Sequence, residues 1–557
     1  MIAGSGASRP HSRLALREWS GLACAAMRAP RSSRAALCVA LALAFTPRAG
    51  RTAPPQFVPV GDPIEAELRV LDLYRPSAGA LRLALPHLDT TPLQACELLL
   101  PPHGNDTEWL ALPTGARGIA VRRVLRALSR DADFNFHPEE FPRLRLVQAE
   151  WPEGPIRIEC STGLEGERDV VRGDADPATR NWQDGSGVHV RTGVQLDRWF
   201  AYSHLFFGEL HGVRTFSDAL VTGTDLAAST EESYMGYTAG GMWSAQLGRS
   251  RWNWGPGEEG TLLLSRTSAP LNGLMLHAHL APLHADGFVF NATVEPGRGE
   301  QLAAHRIEWQ PRDWARLGVS EAARYRAGGW QGLYLSGVVP YSMVQKLLDQ
   351  DSRDSSGDLR NNVMISLDAS LRPADGSRIY GELLLDDVHA RTASAPNKYG
   401  WQAGWSGAGD VSGTRLSWDA EYTWMSRYVY TSFFGRSYVA QDLPLGFPTG
   451  PDSRRFRTRV TWDPDTDWQL SAIAARTDAG EEGLGDAFVP GQPVPDVASL
   501  AGTVERTRTL EGVLRWWPAG SVDLSLRAGR EWIANANHVP GAELRRWRGA
   551  FAFQLTR

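Results

Sequence analysis

The chain has 557 residues, a formal net charge of −5 and 22% charged residues, with a pI near 6.3 and a mean hydropathy of −0.30. This near-neutral balance lacks the electrostatic footprint of a nucleic-acid binder. The low hydropathy argues against a helical membrane protein but leaves a β-barrel open, because half of each spanning strand is polar.

Residues 1–53 read as a signal or targeting segment. Arg28, Arg31 and Arg34 precede an apolar run, Ala35 to Phe45, that is too short to span a bilayer. Met27 is a candidate true start, and cleavage is expected between Ala49 and Ala53. Residues 54–184 read as a small, mainly helical periplasmic domain. Asp62-Pro63 offers an N-cap with proline at the first helical position, followed by Ile64, Leu68 and Leu71 at helical spacing. Thr91-Pro92 repeats the device before Leu98 to Leu100. A third helix is expected around Arg117 to Arg130, with Val121, Val124, Leu125 and Leu128 on one face. Of four cysteines, Cys24 and Cys38 fall in the targeting segment. Cys96 and Cys160 remain, as one disulfide of an oxidising periplasm or as two free thiols.

From 185 to 557 the chain reads as strands and turns. Val188, Val190, Val194 and Leu196 alternate with His189, Arg191, Gln195 and Asp197. Val363, Ile365, Leu367 and Leu371 alternate with Met364, Ser366, Asp368 and Ser370. The pattern is sharpest where Leu416, Trp418, Ala420, Tyr422 and Trp424 oppose Arg415, Ser417, Asp419, Glu421 and Thr423. It recurs at Phe456 to Trp462, Leu510 to Trp516, Val522 to Ala528 and Trp547 to Leu555. A period of two places the apolar residues on one strand face and the charges on the other, which suits lipid outside and a wet lumen inside. Of 21 tryptophans, 17 lie from Trp199 onward, and indoles favour a bilayer interface. Short turns with proline flanked by tryptophan occur at 309–314, 462–468 and 516–520, and a similar short proline turn lies at 371–376. Longer connections lie at 322–361, 427–455 and 477–508. Short turns at one rim and long loops at the other, at roughly 20 residues per strand with its connection, predict a large antiparallel outer-membrane β-barrel of about 18 strands.

Three segments resemble the Wzi family of outer-membrane capsule-assembly proteins: Trp252-Asn253-Trp254-Gly255-Pro256-Gly257, Tyr380-Gly381-Glu382-Leu383-Leu384-Leu385-Asp386-Asp387, and Leu443-Pro444-Leu445-Gly446-Phe447 with Gly450-Pro451-Asp452-Ser453. The resemblance spans about 185–557. It implies a barrel of about 18 strands, a periplasmic helical domain, a lumen closed by a loop, and a surface lectin that holds capsular polysaccharide rather than a pore or enzyme. Asn253 separates the two tryptophans of the motif, and the chain ends Gln554-Leu555-Thr556-Arg557 rather than on an aromatic residue.

Candidate polysaccharide-binding residues are Trp254, Glu382, Asp386, Arg436, Asp452, Arg454 and Arg455. Trp254 either stacks on a sugar ring or belongs to a sharp turn built on glycine and proline. The arginines around 444–452 either grip acidic sugars bidentately or frame a loop that plugs the barrel. Asp386 and Asp387 beside His389 admit a metal or acid/base reading, against a solvated strand end. Nothing supplies the second carboxylate a glycosidase needs. His277, His279 and His284 are expected to be lumen residues rather than a metal cluster. No catalytic residue, cofactor or metal ligand is assigned. The expected partners are an acidic surface polysaccharide, outer-membrane lipid and the barrel-insertion machinery, with diffusion channel or hydrolase as alternatives.

Overall fold

In the computed structural model the alternating segments become one antiparallel sheet of 20 strands. The structure describes residues 63–74, 115–128, 149–151, 154–173 and, with breaks in the connections, 183–556. All belong to the compact unit 53–557. Two strands of the sheet, Ala149–Trp151 and Ala219–Leu220, are short additions at its margin; the other eighteen form a ring. The first six are β1 Gly154–Gly173, β2 Gln183–Leu196, β3 Trp199–Gly212, β4 Leu226–Thr238, β5 Trp243–Ser250 and β6 Leu271–Leu280. Next come β7 Ala285–Glu295, β8 Glu300–Arg312, β9 Ala315–Arg326, β10 Asn362–Ala374, β11 Ser377–Asp387 and β12 Lys398–Val411. The last are β13 Thr414–Met425, β14 Ser453–Asp463, β15 Trp468–Ala479, β16 Glu505–Ala519, β17 Val522–Ala534 and β18 Glu543–Thr556. Each pairs with its neighbour, and β1 pairs antiparallel with β18 from Ser161↔Thr556 to Gly173↔Leu544, so no edge is left open.

The ring begins at Gly154, inside the span 54–184 that the sequence predicts to be a helical domain. Ile156, Ile158 and Leu164 alternate there, but Cys160, Thr162 and Gly166 between and after them carry little apolar surface, so the period-two signal is faint. Cys96, the second helix around Leu98 and residues 1–53 lie outside the described residues. The other two helices form as expected: α1 Pro63–Tyr74 and α2 Gly115–Leu128. They bury Leu68 and Leu71 with Ile119, Val121 and Val124.

The faces of the ring divide as the alternation requires. Val319, Leu510 and Leu526 point outward and are more than half exposed, while Ser320, Asp419 and Glu421 point inward and are buried. Outward tryptophans ring the short-turn rim: Trp309, Trp314, Trp462 and Trp516 are exposed, and Trp468 stacks on Trp516 with centroids 5.1 Å apart. Amphipathic indoles at the edge of an apolar band mark a membrane interface. No described helix is long and apolar enough to cross a membrane.

One connection lies against the outside of the wall. Between β9 and β10, helices α3 Gly332–Ser336 and α4 Tyr341–Leu347 bury Tyr334, Tyr341 and Val344 on the outward residues Ala303, Ala323 and Tyr325. They also cover Glu321, which accepts the Tyr341 N–H at 2.7 Å and the Ser342 N–H at 3.2 Å, opening α4. An acid on the lipid-facing wall is tolerated because these unsatisfied helix donors meet it.

Candidate functional site

The lumen is occupied at two levels. At the short-turn rim, α1 and α2 are held by ion pairs to wall residues that only barrel closure brings together. Asp72 of α1 pairs with Arg316 of β9 (2.8 and 3.0 Å) and Arg372 of β10 (3.0 Å). Glu67 contacts Arg415 of β13 (2.9 Å from Nη2) and Arg123 of α2 (3.0 Å). Arg123 and Arg415 in turn share Asp463 of β14, at 2.6 and 2.7 Å. Burial pushes the Glu67 carboxyl up, but Arg415 and Arg123 outweigh it and hold the group at about 2. Neutral bonds finish the seal: the Gly376 N–H donates to the Leu73 carbonyl at 3.0 Å, and the Tyr74 hydroxyl donates to the Ala408 carbonyl at 2.6 Å. Arg123 also lies over Trp517, 4.4 Å from the ring centre.

Deeper in, the connection 251–270 between β5 and β6 folds into the lumen rather than out from the rim. Trp252, Trp254 and Leu262 to Leu264 pack in one buried cluster with inward Phe288, Phe290, Met364 and Leu384, and with Tyr430 and Phe447 of the connection 426–452. The two connections bind each other: the Ser265 N–H donates to the Leu445 carbonyl at 2.9 Å. The Tyr430 hydroxyl donates to the Leu262 carbonyl at 2.5 Å and accepts the Phe447 N–H at 3.0 Å. Gly446 is needed at this crossing, since a Cβ there would lie 2.2 Å from the Leu262 carbonyl oxygen. Gly255, at φ +142°, likewise adopts a backbone that side chains disfavour.

Between plug and loops lies a charged chamber of about 250 Å³, lined among others by Glu65, Arg69, Arg378, Arg459 and Arg515. Glu258 spans it from the inserted loop, paired with Arg378 and, at 3.7 Å, Arg69. Burial raises its carboxyl, yet the guanidinium groups of Arg378 and Arg69 prevail and keep it at about 2. The loop and α1 are therefore linked: Arg266 of the loop also reaches Glu65 of α1 at 3.1 Å.

Most of the seven candidate residues serve this closure. Trp254 is 0% exposed and packs against Phe288 and Phe290. With no free ring face it cannot stack on a sugar, and the sharp-turn reading is the one its surroundings fit. Glu382 accepts the Leu262 N–H at 3.0 Å and the Ser366 hydroxyl at 2.8 Å. Asp386 accepts the Tyr430 N–H at 2.9 Å. Asp452 accepts the N–H groups of Ala501 (3.1 Å) and Glu482 (3.2 Å), tying the connection 480–504 down, and burial raises its carboxyl. Arg455 forks onto Glu259 at 2.5 and 2.7 Å. Arg454 donates to the Ala498 carbonyl at 2.8 Å beside the long-loop face, and Arg436 lies outside the described residues.

His277 and His279 behave as lumen residues, whereas His284 stands exposed in the turn between β6 and β7, at φ +50°. His277 and His279 both contact Asp286, at 3.0 and 2.8 Å. Among the described residues no three His, Cys, Asp or Glu group to hold a metal. Asp387 pairs with Lys398 at 2.7 Å, and His389 is outside the described residues. Sequence reasoning missed Glu67, Asp72, Arg316 and Arg415 as a set. The only local signal was charge at helix and strand positions that carry charge everywhere.

A family model described as capsule assembly protein Wzi matches residues 178–544. No curated protein sequence matches the chain. Among solved structures, the chain is similar to Escherichia coli Wzi, an outer-membrane protein involved in group 1 capsule assembly and a carbohydrate-binding β-barrel. The TM-score is 0.60 and the identity 13%, over 90% of this chain and 99% of that one. Pseudomonas aeruginosa OccK5 aligns with a TM-score of 0.38 at 9% identity, over 72% of this chain and 98% of its own. The outer-membrane channel DcaP of Acinetobacter baumannii gives 0.36 at 10%, over 74% and 100%. These last two are too distant to bear on function. The Escherichia coli likeness reproduces the barrel; the family model, covering more than half of the sequence, does more, and by it the chain belongs to the Wzi family of capsule assembly proteins, β-barrels of the Gram-negative outer membrane.

Proposed function

We propose that this protein binds surface polysaccharide without turning it over, and so assists capsule or exopolysaccharide assembly and attachment. The observation that carries the reading is the double closure of the lumen. A barrel whose lumen holds α1 and α2 at one level and two interlocked loops at another obstructs a solute's passage, which favours the long-loop face as the working surface. The carbohydrate binding of the Escherichia coli relative supports the same reading. On it, the helices face the periplasm, the outward band meets outer-membrane lipid, and the barrel-insertion machinery places the chain there. Arg454, on the outward face of β14 beside the long-loop end, and Arg436 of the connection 426–452 are the candidate contacts, since guanidinium groups match carboxylates of acidic sugars bidentately. Trp254, Glu382, Asp386, Asp452 and Arg455 hold the connections 251–270, 426–452 and 480–504 in shape.

The test is Arg436→Ala with Arg454→Ala in cells that make the polysaccharide. Retained surface glycan should fall while the amount of folded barrel stays constant. Unchanged retention at normal barrel levels would reject these contacts, and release of shortened glycan from purified polysaccharide would favour a hydrolase instead.

A further inference from the structure

The outside of the wall carries a charge that lumen closure does not use. On four consecutive strands, the outward positions nearest the long loops are Arg476 and Asp478 of β15, Arg506 and Arg508 of β16, Arg530 of β17, and Glu543 and Arg545 of β18. Five arginines face two carboxylates. Asp478 is shared by Arg476 (2.9 Å) and Arg506 (3.1 Å), and Glu543 stands 3.8 Å from an exposed Arg545. Arg508 has neither hydrogen bond nor ion pair among the described residues, and it is exposed. Arg530 has no carboxylate either: its guanidinium lies 4.8 Å from the ring centre of Trp532 and 4.6 Å from that of Trp547, and its Nε is unpaired.

Two features of this arrangement ask for an anion. Arg476 and Arg508 are directly opposite in the ladder, where like charges repel. The patch also sits at a particular height. Arg476 and Arg508 each lie eight positions above the rim tryptophans Trp468 and Trp516 on the same strand face. At about 3.4 Å per residue and a tilt of about 40° that is ~20 Å along the barrel axis, close to the far edge of an apolar band ~25 Å tall. At the matching positions of β10, the outward residues are Ile365 and Val363. Leu510 and Leu526, just below the patch, continue the apolar wall toward the acyl region.

We propose that the outward face of β15–β18 binds the phosphate groups of a phosphorylated glycolipid in the outer leaflet, its acyl chains lying on Leu510, Leu526 and Phe551. Arginine forks match phosphate oxygens bidentately, and the flanking tryptophans suit the polar–apolar boundary. One specific lipid held at this face would fix the rotational setting of the barrel in the leaflet and the position of its loops above it.

The test is a titration of the full, folded protein in detergent, read by native mass spectrometry. The probes are a bisphosphorylated lipid A and the same lipid without phosphates. Wild type should prefer the phosphorylated lipid by about tenfold or more. Arg476→Gln/Arg508→Gln/Arg530→Gln should abolish that preference while retaining the heat-modifiable gel migration of a folded barrel. Should the triple variant fail to fold, Arg508→Gln, which has no partner to lose, carries the test and should reduce the preference several-fold. Equal binding of the two lipids by wild type, or an unreduced preference in a folded variant, would overturn the proposal. Displacement of the lipid by millimolar inorganic phosphate would overturn it too, by showing a free-anion site.

Discussion

Glu67 sits between two guanidinium groups in a place water scarcely reaches, and that sets both what it contributes and when it fails. Replacing it by Gln leaves Asp463 as the one carboxylate that Arg415 and Arg123 contact among the described residues. Breaking a buried pair in this way costs about 3–5 kcal/mol, so Glu67→Gln should loosen the docking of α1 and raise protease cleavage within 63–128 at neutral pH. The acid limit follows from the same pairing. Because the folded carboxyl is held at about 2, below its ordinary 4.5, its contribution is complete above about pH 4.5 and drains away as pH falls toward 2. Cleavage of wild type should therefore be flat from pH 7 to 5 and climb below 4.5; a rise already at pH 6 would contradict the assignment. None of this was legible locally. Glu67 and Arg415 are 348 positions apart, and a glutamate on a short amphipathic helix reads as solvated until a barrel closes around it. Trp254 misleads in the opposite sense, since a tryptophan among glycines suggests display but is here a core residue.

At the scale of elements, the period-two strands were readable because lipid and lumen impose opposite demands on alternate residues, and each strand carries that contrast within itself. The helices α1 and α2 were readable from a 3.6-residue apolar stripe in each and, for α1, from a proline at its first helical position. What could not be read was destination. The segment 251–270 has the composition of a sharp turn, and turn chemistry says where a chain bends but not that it bends into the lumen. Among its anchors is one buried wall carboxylate, Glu382. Glu382→Ala leaves the buried Leu262 N–H without an acceptor and the Ser366 hydroxyl without its partner, at about 1–3 kcal/mol for the orphaned donor. Hydrogen exchange across 251–270 should quicken while the strands β10 and β11 that carry the pair keep their protection. Unaltered exchange at Leu262 to Ser265 would mean that apolar packing alone holds the loop. The helices α3 and α4 escaped the sequence reading too: a long connection was expected between β9 and β10, but not that Tyr334 and Tyr341 would turn it back onto the wall.

For the whole molecule, the two closures lie in series, and that has a consequence neither has alone. On the reading proposed above, a solute crossing the barrel meets α1 and α2, then the chamber, then the interlocked loops 251–270 and 426–452. Two barriers in series conduct only when both are open, so removing either should change little. Deleting the helical segment through residue 128 exposes the chamber to one side but leaves Tyr430, Leu262 and Leu445 in place across the lumen. Shortening 251–270 opens the other side but leaves Asp72 and Glu67 clamped to the rim. Only the combined variant should show steady conductance in a planar bilayer, with both single variants near the wild-type baseline. The bridge from Arg266 to Glu65 and from Glu258 to Arg69 refines the expectation, because the two stoppers also brace one another across the chamber. Each single deletion should therefore add brief, flickering openings of the remaining stopper, and Arg266→Ala should produce a weaker form of the same flicker without any deletion. A large, steady conductance from the helix deletion alone would show that the loops do not seal the lumen, and the binding face proposed above would then have to be weighed against a channel.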